Sequence, residues 1–130
     1  MPSAFESHGA FSWTELMTTD VPGARKFYSN LFGWKIKDMD STGMEYGIIS
    51  TGDTESGIGG IMAVPKEAKG MPSSWGTYVT VKNVDEVAGR VAGLGGKVLA
   101  PPQDIPGVGR FAVIQDPQGA SISIISYLPR

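Results

Sequence analysis

The stretch "TTDVPGARKFYSNLFGWKI" (18–36) holds a complete helix with both ends marked. Asp20 is an N-cap residue whose carboxylate can accept from the free N–H groups of the first turn, where Pro22 is tolerated. Val21, Ala24, Phe27, Tyr28 and Leu31 recur at helical spacing, and Gly33 is placed to end the helix. Ahead of the helix, residues 11–18 read as a strand. Behind it come three apolar-alternating stretches, 34–39, 44–51 and 58–64. The predicted order is β-α-β-β-β.

The pattern then recurs. Residues 75–81 read as a strand, and Asn83 caps a helix with Glu86 at the capping-box position. Val84, Val87, Val91 and Leu94 form its apolar stripe, and Gly95-Gly96 stops it. Strands are predicted at 97–100, 110–115 and 120–127. One offset of 63 residues pairs Asp20 with Asn83, Val21 with Val84, Leu31 with Leu94, Gly33 with Gly96 and Asp53 with Asp116, without a gap. Few letters match across this register, so the matched caps, helix stops and turn tips carry the inference of a duplication. The expected organisation is one domain over 1–130, with module one at about 9–64, a linker at 65–74 and module two at about 75–128. "PPQDIPGVG" (101–109) reads as a loop too long for a tight hairpin, either a surface connection or a segment closing over a site.

Composition narrows the function classes. The 130 residues contain no cysteine, which removes disulfides and thiolate metal sites. The net charge is −2 and the eleven Lys and Arg are scattered, so no basic stripe for nucleic acid is visible. The leading "MPSAFESHGAFSW" has neither the basic region nor the apolar core of a signal peptide, and no apolar run reaches the ~18 residues of a membrane span. The expectation is a soluble, cytoplasmic protein with no nucleic-acid or membrane partner.

A repeated βαβββ module with a capped helix and a late D-P-x-G turn resembles the vicinal oxygen chelate superfamily, which includes glyoxalase I, bleomycin-resistance proteins and extradiol dioxygenases. The residues carrying the resemblance are 18–36 and "PPQDIPGVGRFAVIQDPQGASISI" (101–124), and it covers nearly the whole chain. The second stretch is similar to small bacterial glyoxalase-like proteins. The resemblance implies an α+β fold in which two tandem βαβββ modules form a curved mixed-sheet cleft, helices outside and ligand within. It also implies that metal-using members hold a divalent ion with four cleft-facing side chains, from the first and last strand of each module.

Counting seven residues back from Asp20 and seven on from Asp116, and applying the offset, puts those four positions at Trp13, Gly76, Gly60 and Ser123. None is a useful ligand for zinc, iron or nickel. The only histidine, His8, stands in the leading arm as a solvated residue or a cap on a partner chain's cleft. No metal and no other cofactor is expected.

With Trp13 facing the cleft, strand alternation adds Phe11, Glu15 and Met17 from the first strand, and Gly76, Tyr78 and Thr80 from its twin. The last strands add Ile58, Gly60 and Met62, and Ser121, Ser123 and Ile125. Such a mostly apolar lining with a few polar groups suits a small-molecule pocket. Glu15 has three readings: a salt bridge with Arg110, a ligand contact, or a general acid/base. Arg110 is either a structural ion pair or the holder of a ligand anion. Trp13 and Tyr78 either pack or stack on a ligand, Tyr46 is left without an assigned face, and Gly59-Gly60 is open to reading as a bulge.

The favoured function is a metal-free binding module for a small aromatic or amphipathic molecule, working as a homodimer. The alternative is a metal-independent lyase or isomerase using Glu15. A metalloenzyme sharing ligands between two chains, and an accessory subunit with a vestigial cleft, are the remaining readings.

Overall fold

The computed structural model describes residues 3–39, 46–53, 57–64, 70 and 72–129. Its elements follow as β1 (Phe11–Thr18), α1 (Val21–Phe32), β2 (Lys35–Asp38), β3 (Tyr46–Ser50), β4 (Gly59–Ala63), β5 (Ser74–Thr80), α2 (Val84–Val91), β6 (Lys97–Ile105), β7 (Gly109–Gln115) and β8 (Ser121–Tyr127). This is an α+β chain with the β-α-β-β-β order twice. Its residues group into two compact units, Trp13–Trp75 and Gly76–Arg130, the second joined by the arm Met1–Ser12.

Within Trp13–Trp75 the strand order is β2-β3-β4-β1, with β1 parallel to β4 and the other pairs antiparallel. Helix α1 starts where Asp20 accepts from the Gly23 N–H at 3.0 Å, and it stops at Gly33, whose φ is +74°. Leu16, Val21, Ile49 and Ile61 form the core under this helix, with Ala24, Tyr28, Trp34 and Ile36 packed around them.

The second unit repeats the plan in the order β5-β8-β7-β6, with β5 parallel to β8. Asn83 caps α2 by accepting from the Glu86 N–H at 3.0 Å. Its core is Val81, Val84, Ala88, Ala112 and Ile124. The turn after β7 is built by Asp116, whose carboxylate accepts from both Gln118 and Ala120, while Gly119 takes φ +96°. The arm lies along β5: Gly9 donates to the Thr80 carbonyl, and the Thr80 N–H donates to Ala10.

Three details differ from the sequence reading. Phe27 and Leu31 are each 58% exposed, because Val21, Ala24 and Tyr28 already make the stripe that faces the sheet. Leu94 is exposed because Ala92–Leu94 tightens into a 3₁₀ turn, whose larger angular step carries it off the apolar stripe. The stretch 101–109 is mostly strand: β6 continues through Pro101-Pro102 to Ile105, and only 106–108 connect it to β7. Two prolines are tolerated there because β6 is an edge strand with register shifts between Val98 and Ala100 and between Ala100 and Gln103.

The repeat also has a gap. Glu15 pairs with Gly60 and Tyr78 with Ser123, both at the offset of 63. Tyr46 pairs with Met62 whereas Phe111 pairs with Ile125, so β7 stands 65 residues beyond β3. The register of 63 returns in the last strands because the β3–β4 connection is longer than the β7–β8 turn. Most of the expected linker, residues 65–69 and 71, lies outside the described residues. Among the described residues no helix is long and apolar enough to cross a membrane.

The two helix caps are equivalent devices. Asp20→Ala and Asn83→Ala are each expected to lower stability by about 1 kcal/mol, measured by urea unfolding against an exposed-loop control such as Gln118→Ala.

Candidate functional site

Each helix covers one face of its four-stranded sheet, and alternate side chains point to the other face. In Trp13–Trp75, Leu16 and Ile61 pack toward α1. Trp13, Glu15 and Met17 of β1 therefore stand on the helix-free face, with Gly60 and Met62 of β4 beside them. The register puts Glu15 next to Gly60 and Met17 next to Met62. Tyr46 and Ile48 of β3 share this face, because Ile49 belongs to the core.

The arrangement on this face centres on a tyrosine lying over a glycine. A Cβ on Gly60 would overlap the Tyr46 hydroxyl and ring. The Trp13 indole N–H donates to that hydroxyl at 2.8 Å. Glu15 is only 3% exposed here, and a buried carboxylate is costly without polar company. The tip of the Trp13 ring lies close to Gly57, whose missing side chain leaves room for it.

In the second unit, Ile124 and Ala112 pack toward α2. The helix-free face carries Gly76, Tyr78 and Thr80 of β5, Ser121, Ser123 and Ile125 of β8, and Phe111 and Val113 of β7. Tyr78 and Ser123 are cross-strand partners and both are buried. The Tyr78 and Phe111 rings approach at 6.3 Å between centroids. Space above Gly76 is open, and Ser121 is exposed. The Thr80 hydroxyl donates to the Ala4 carbonyl at 2.7 Å, which ties the arm to the end of β5.

Arg110 is placed elsewhere. It shares its side of β7 with Ala112, beneath α2, rather than with Phe111. Its guanidinium grips both carboxylate oxygens of Asp85, at 2.7 and 2.9 Å, and reaches Asp104 at 3.1 Å. Asp85 belongs to the first turn of α2. The hydrogen bonds from Arg110 hold its carboxyl below the ordinary 3.8, and the two carboxylates raise the guanidinium further above its usual value. The ion-pair reading of Arg110 therefore applies, with Asp85 and Asp104 as its partners. The expected salt bridge with Glu15 does not fit this residue, because strand alternation turns it toward the helix.

His8 is exposed, and its Nδ1 accepts from the Lys82 backbone N–H at 3.0 Å. Together with Phe5, Lys82, Tyr127 and Leu128 it lines a cavity of about 310 Å³ under the arm. Tyr46, Ile48, Phe111 and Val113 are residues of these faces that the sequence reading did not assign. They lie in runs apolar on both sides, "YGII" and "FAVI", where alternation has no polar residue to mark the register.

Residues 10–124 match the Glyoxalase/Bleomycin resistance protein/Dioxygenase superfamily, and the chain belongs to that family. Its relatives include the protein named "Putative glyoxylase CFP32" of Mycobacterium tuberculosis, 39% identical over 123 residues, covering 94% of this chain and 46% of the relative. The anthracycline biosynthesis protein DauV of Streptomyces sp. strain C5 is 30% identical over 131 residues, covering 89% and 46% respectively. The chain thus spans about half the length of these relatives. Among solved structures, methylmalonyl-CoA epimerase from Mycobacterium tuberculosis superposes with a TM-score of 0.60 at 14% identity, covering 99% of this chain and 94% of that one. An extradiol ring-cleaving dioxygenase from B. fuscum gives 0.56 at 16% identity, covering 92% and 34%. At these identities the structural likeness speaks for the fold.

The residues at the family's metal-ligand positions do not fit a transition-metal ion. Trp13, Gly60, Gly76 and Ser123 offer one hydroxyl and no imidazole, carboxylate or thiolate. Among the described residues no three His, Cys, Asp or Glu come together. At Gly60 a ligand side chain would also collide with Tyr46.

The Asp85–Arg110 pair makes a pH-dependent contribution of known sign. A carboxyl held below its ordinary value stabilises the fold above about pH 3.8, and that contribution is lost as pH falls through the lower folded-state value. Asp85→Asn is therefore expected to lower the melting temperature at pH 6, with the gap to the parent protein closing toward pH 2.5. A gap that is constant across this range would contradict the assignment.

Proposed function

We propose that this chain binds a small aromatic or amphipathic organic molecule on the helix-free faces of its sheets, without a metal ion at the family's ligand positions. The observation that carries the reading is the face built by Trp13, Tyr46, Met17 and Met62 around the buried Glu15: apolar and aromatic walls with few polar groups. Tyr78, Phe111 and Ser123 supply the same kind of surface in the second unit. The name of the relative DauV, an anthracycline biosynthesis protein, is in keeping with a flat fused-ring ligand. The proposal includes a homodimer, the default for an assembly of this size, and a cytoplasmic location.

A second reading uses the same face. Glu15, 3% exposed on the face it shares with Trp13, Met17 and Tyr46, is suited to move a proton at a carbon next to a carbonyl in a metal-independent isomerase or lyase. The two readings part on one variant. An acid/base enzyme shows turnover that Glu15→Gln abolishes while binding persists, whereas a binding module shows no turnover before or after the substitution.

A thermal-shift screen of aromatic carboxylates, phenols and quinones against Zn²⁺, Ni²⁺ and Fe²⁺ tests the proposal. A ligand present at a hundred times its Kd stabilises by about 2.7 kcal/mol, which reads as a rise of several degrees. Trp13→Ala is expected to abolish that rise. Stabilisation by a micromolar transition metal, lost on substituting a residue of these faces, would overturn the metal-free reading.

A further inference from the structure

Tyr46 and Gly60 touch although they are not opposite one another. The Cα partner of Gly60 on β3 is Ile48, and that of Tyr46 is Met62. The tyrosine side chain therefore crosses β4 diagonally to lie on Gly60. Beyond Gly60 comes β1, where Glu15 is its partner. The atom nearest the place a Gly60 Cβ would take is the Tyr46 hydroxyl, so the phenol ends over β4. There it meets the Trp13 indole, two residues from Glu15 on the same face. A phenol from β3 and an indole from β1 thus meet at Gly60, whose partner on β1 is Glu15, 3% exposed.

The second unit shows what this geometry requires. Phe111 is the counterpart of Tyr46 by register, and Tyr78 is the counterpart of Glu15. The two rings approach one another, with Ser123 on the strand between them where the first unit has Gly60. The first unit differs in having no side chain at that position and a hydroxyl on the aromatic ring. Together these let the ring settle against β4 and dock its polar end on Trp13.

We infer that Tyr46 is the specificity-determining residue of this face: seated on Gly60 and held by Trp13, it fills the space above Gly60 and selects flat, ring-bearing ligands over compact, non-planar ones. The inference rests on the proposed ligand-binding role. A phenol fixed at its oxygen by an indole N–H offers a flat, ordered edge, and a planar ring can lie along such a pair with little reordering. A globular hydrocarbon of the same charge needs depth, and depth here is taken by the tyrosine. Specificity of this kind works by exclusion as much as by attraction.

The test uses the full chain, labelled with ¹⁵N, and two probes of equal charge: 2-naphthoate, which is flat, and adamantane-1-carboxylate, which is compact. The Trp13 indole resonance, assigned with Trp13→Phe, reports the seating of Tyr46 without any ligand. The parent protein is expected to bind 2-naphthoate at least tenfold tighter than adamantane-1-carboxylate. Gly60→Ala keeps the tyrosine but evicts it, so it should shift the indole resonance and bring the ratio near unity. Tyr46→Ala should do the same by removing the phenol, and it serves where Gly60→Ala fails to fold. An unchanged ratio in a folded Gly60→Ala or Tyr46→Ala protein overturns the inference while leaving the binding reading standing. If the folded parent protein binds neither probe, the ligand class proposed above falls, and the specificity role falls with it.

Discussion

A helix buried on one face of a short mixed sheet imposes a strict division on every strand beneath it. Residues that meet the helix must be apolar and well packed, as Ile61 and Ala112 are, both fully buried. Their immediate neighbours in sequence are then forced onto the opposite face, where no helix constrains them. A slip of one residue would exchange the two sets and bury Glu15 or Ser123 against a helix, so the cores under α1 and α2 hold the register of everything opposite them. The helix-free residues are thereby presented in fixed rows without having to secure the fold themselves.

That freedom is visible in what occupies the rows. On β1, β3 and β4 the face carries an indole, a phenol, a carboxylate and two methionines, and it works as a set because Gly60 has no side chain. Residues that metal-using members of the family would need at Trp13, Gly60, Gly76 and Ser123 are missing. At Gly60 the gap is not simply empty, since Tyr46 has taken the volume. A longer side chain at Gly60 would displace an ordered aromatic pair. Arg110 illustrates the opposite case: a charged residue that looks available in the sequence is held by two carboxylates on the helix side of its strand.

Much of the fold was legible because its marks are local. Asp20, Gly33, Asn83 and Gly95 act on backbone groups within a turn of themselves, and the structure uses them as caps and stops. The limits of strands β1, β7 and β8 fall within a residue of the expected ones for the same reason. The Pro101-Pro102 pair misled because prolines mark a loop in isolation, and only the position of β6 at a sheet edge, with its register shifts, makes them compatible with a strand. The gap in the repeat was invisible for a related reason. Two residues added to one hairpin and removed at the next connection leave both flanking registers unchanged.

The sequence by itself determined the β-α-β-β-β repeat, the ends of both helices and the alternation that puts Trp13, Glu15 and Met17 together, since each depends on residues close along the chain. It also gave the residues at Trp13, Gly60, Gly76 and Ser123, which offer one hydroxyl among them, because that is a matter of inventory. Only the tertiary structure decided which way the apolar runs 46–49 of β3 and 111–114 of β7 turn, that Arg110 belongs to Asp85 and Asp104, and that Tyr46 lies on Gly60 with its hydroxyl at Trp13. Those contacts join residues from different strands and elements, and their geometry is set by the register of a sheet whose hydrogen bonds carry no side-chain signature.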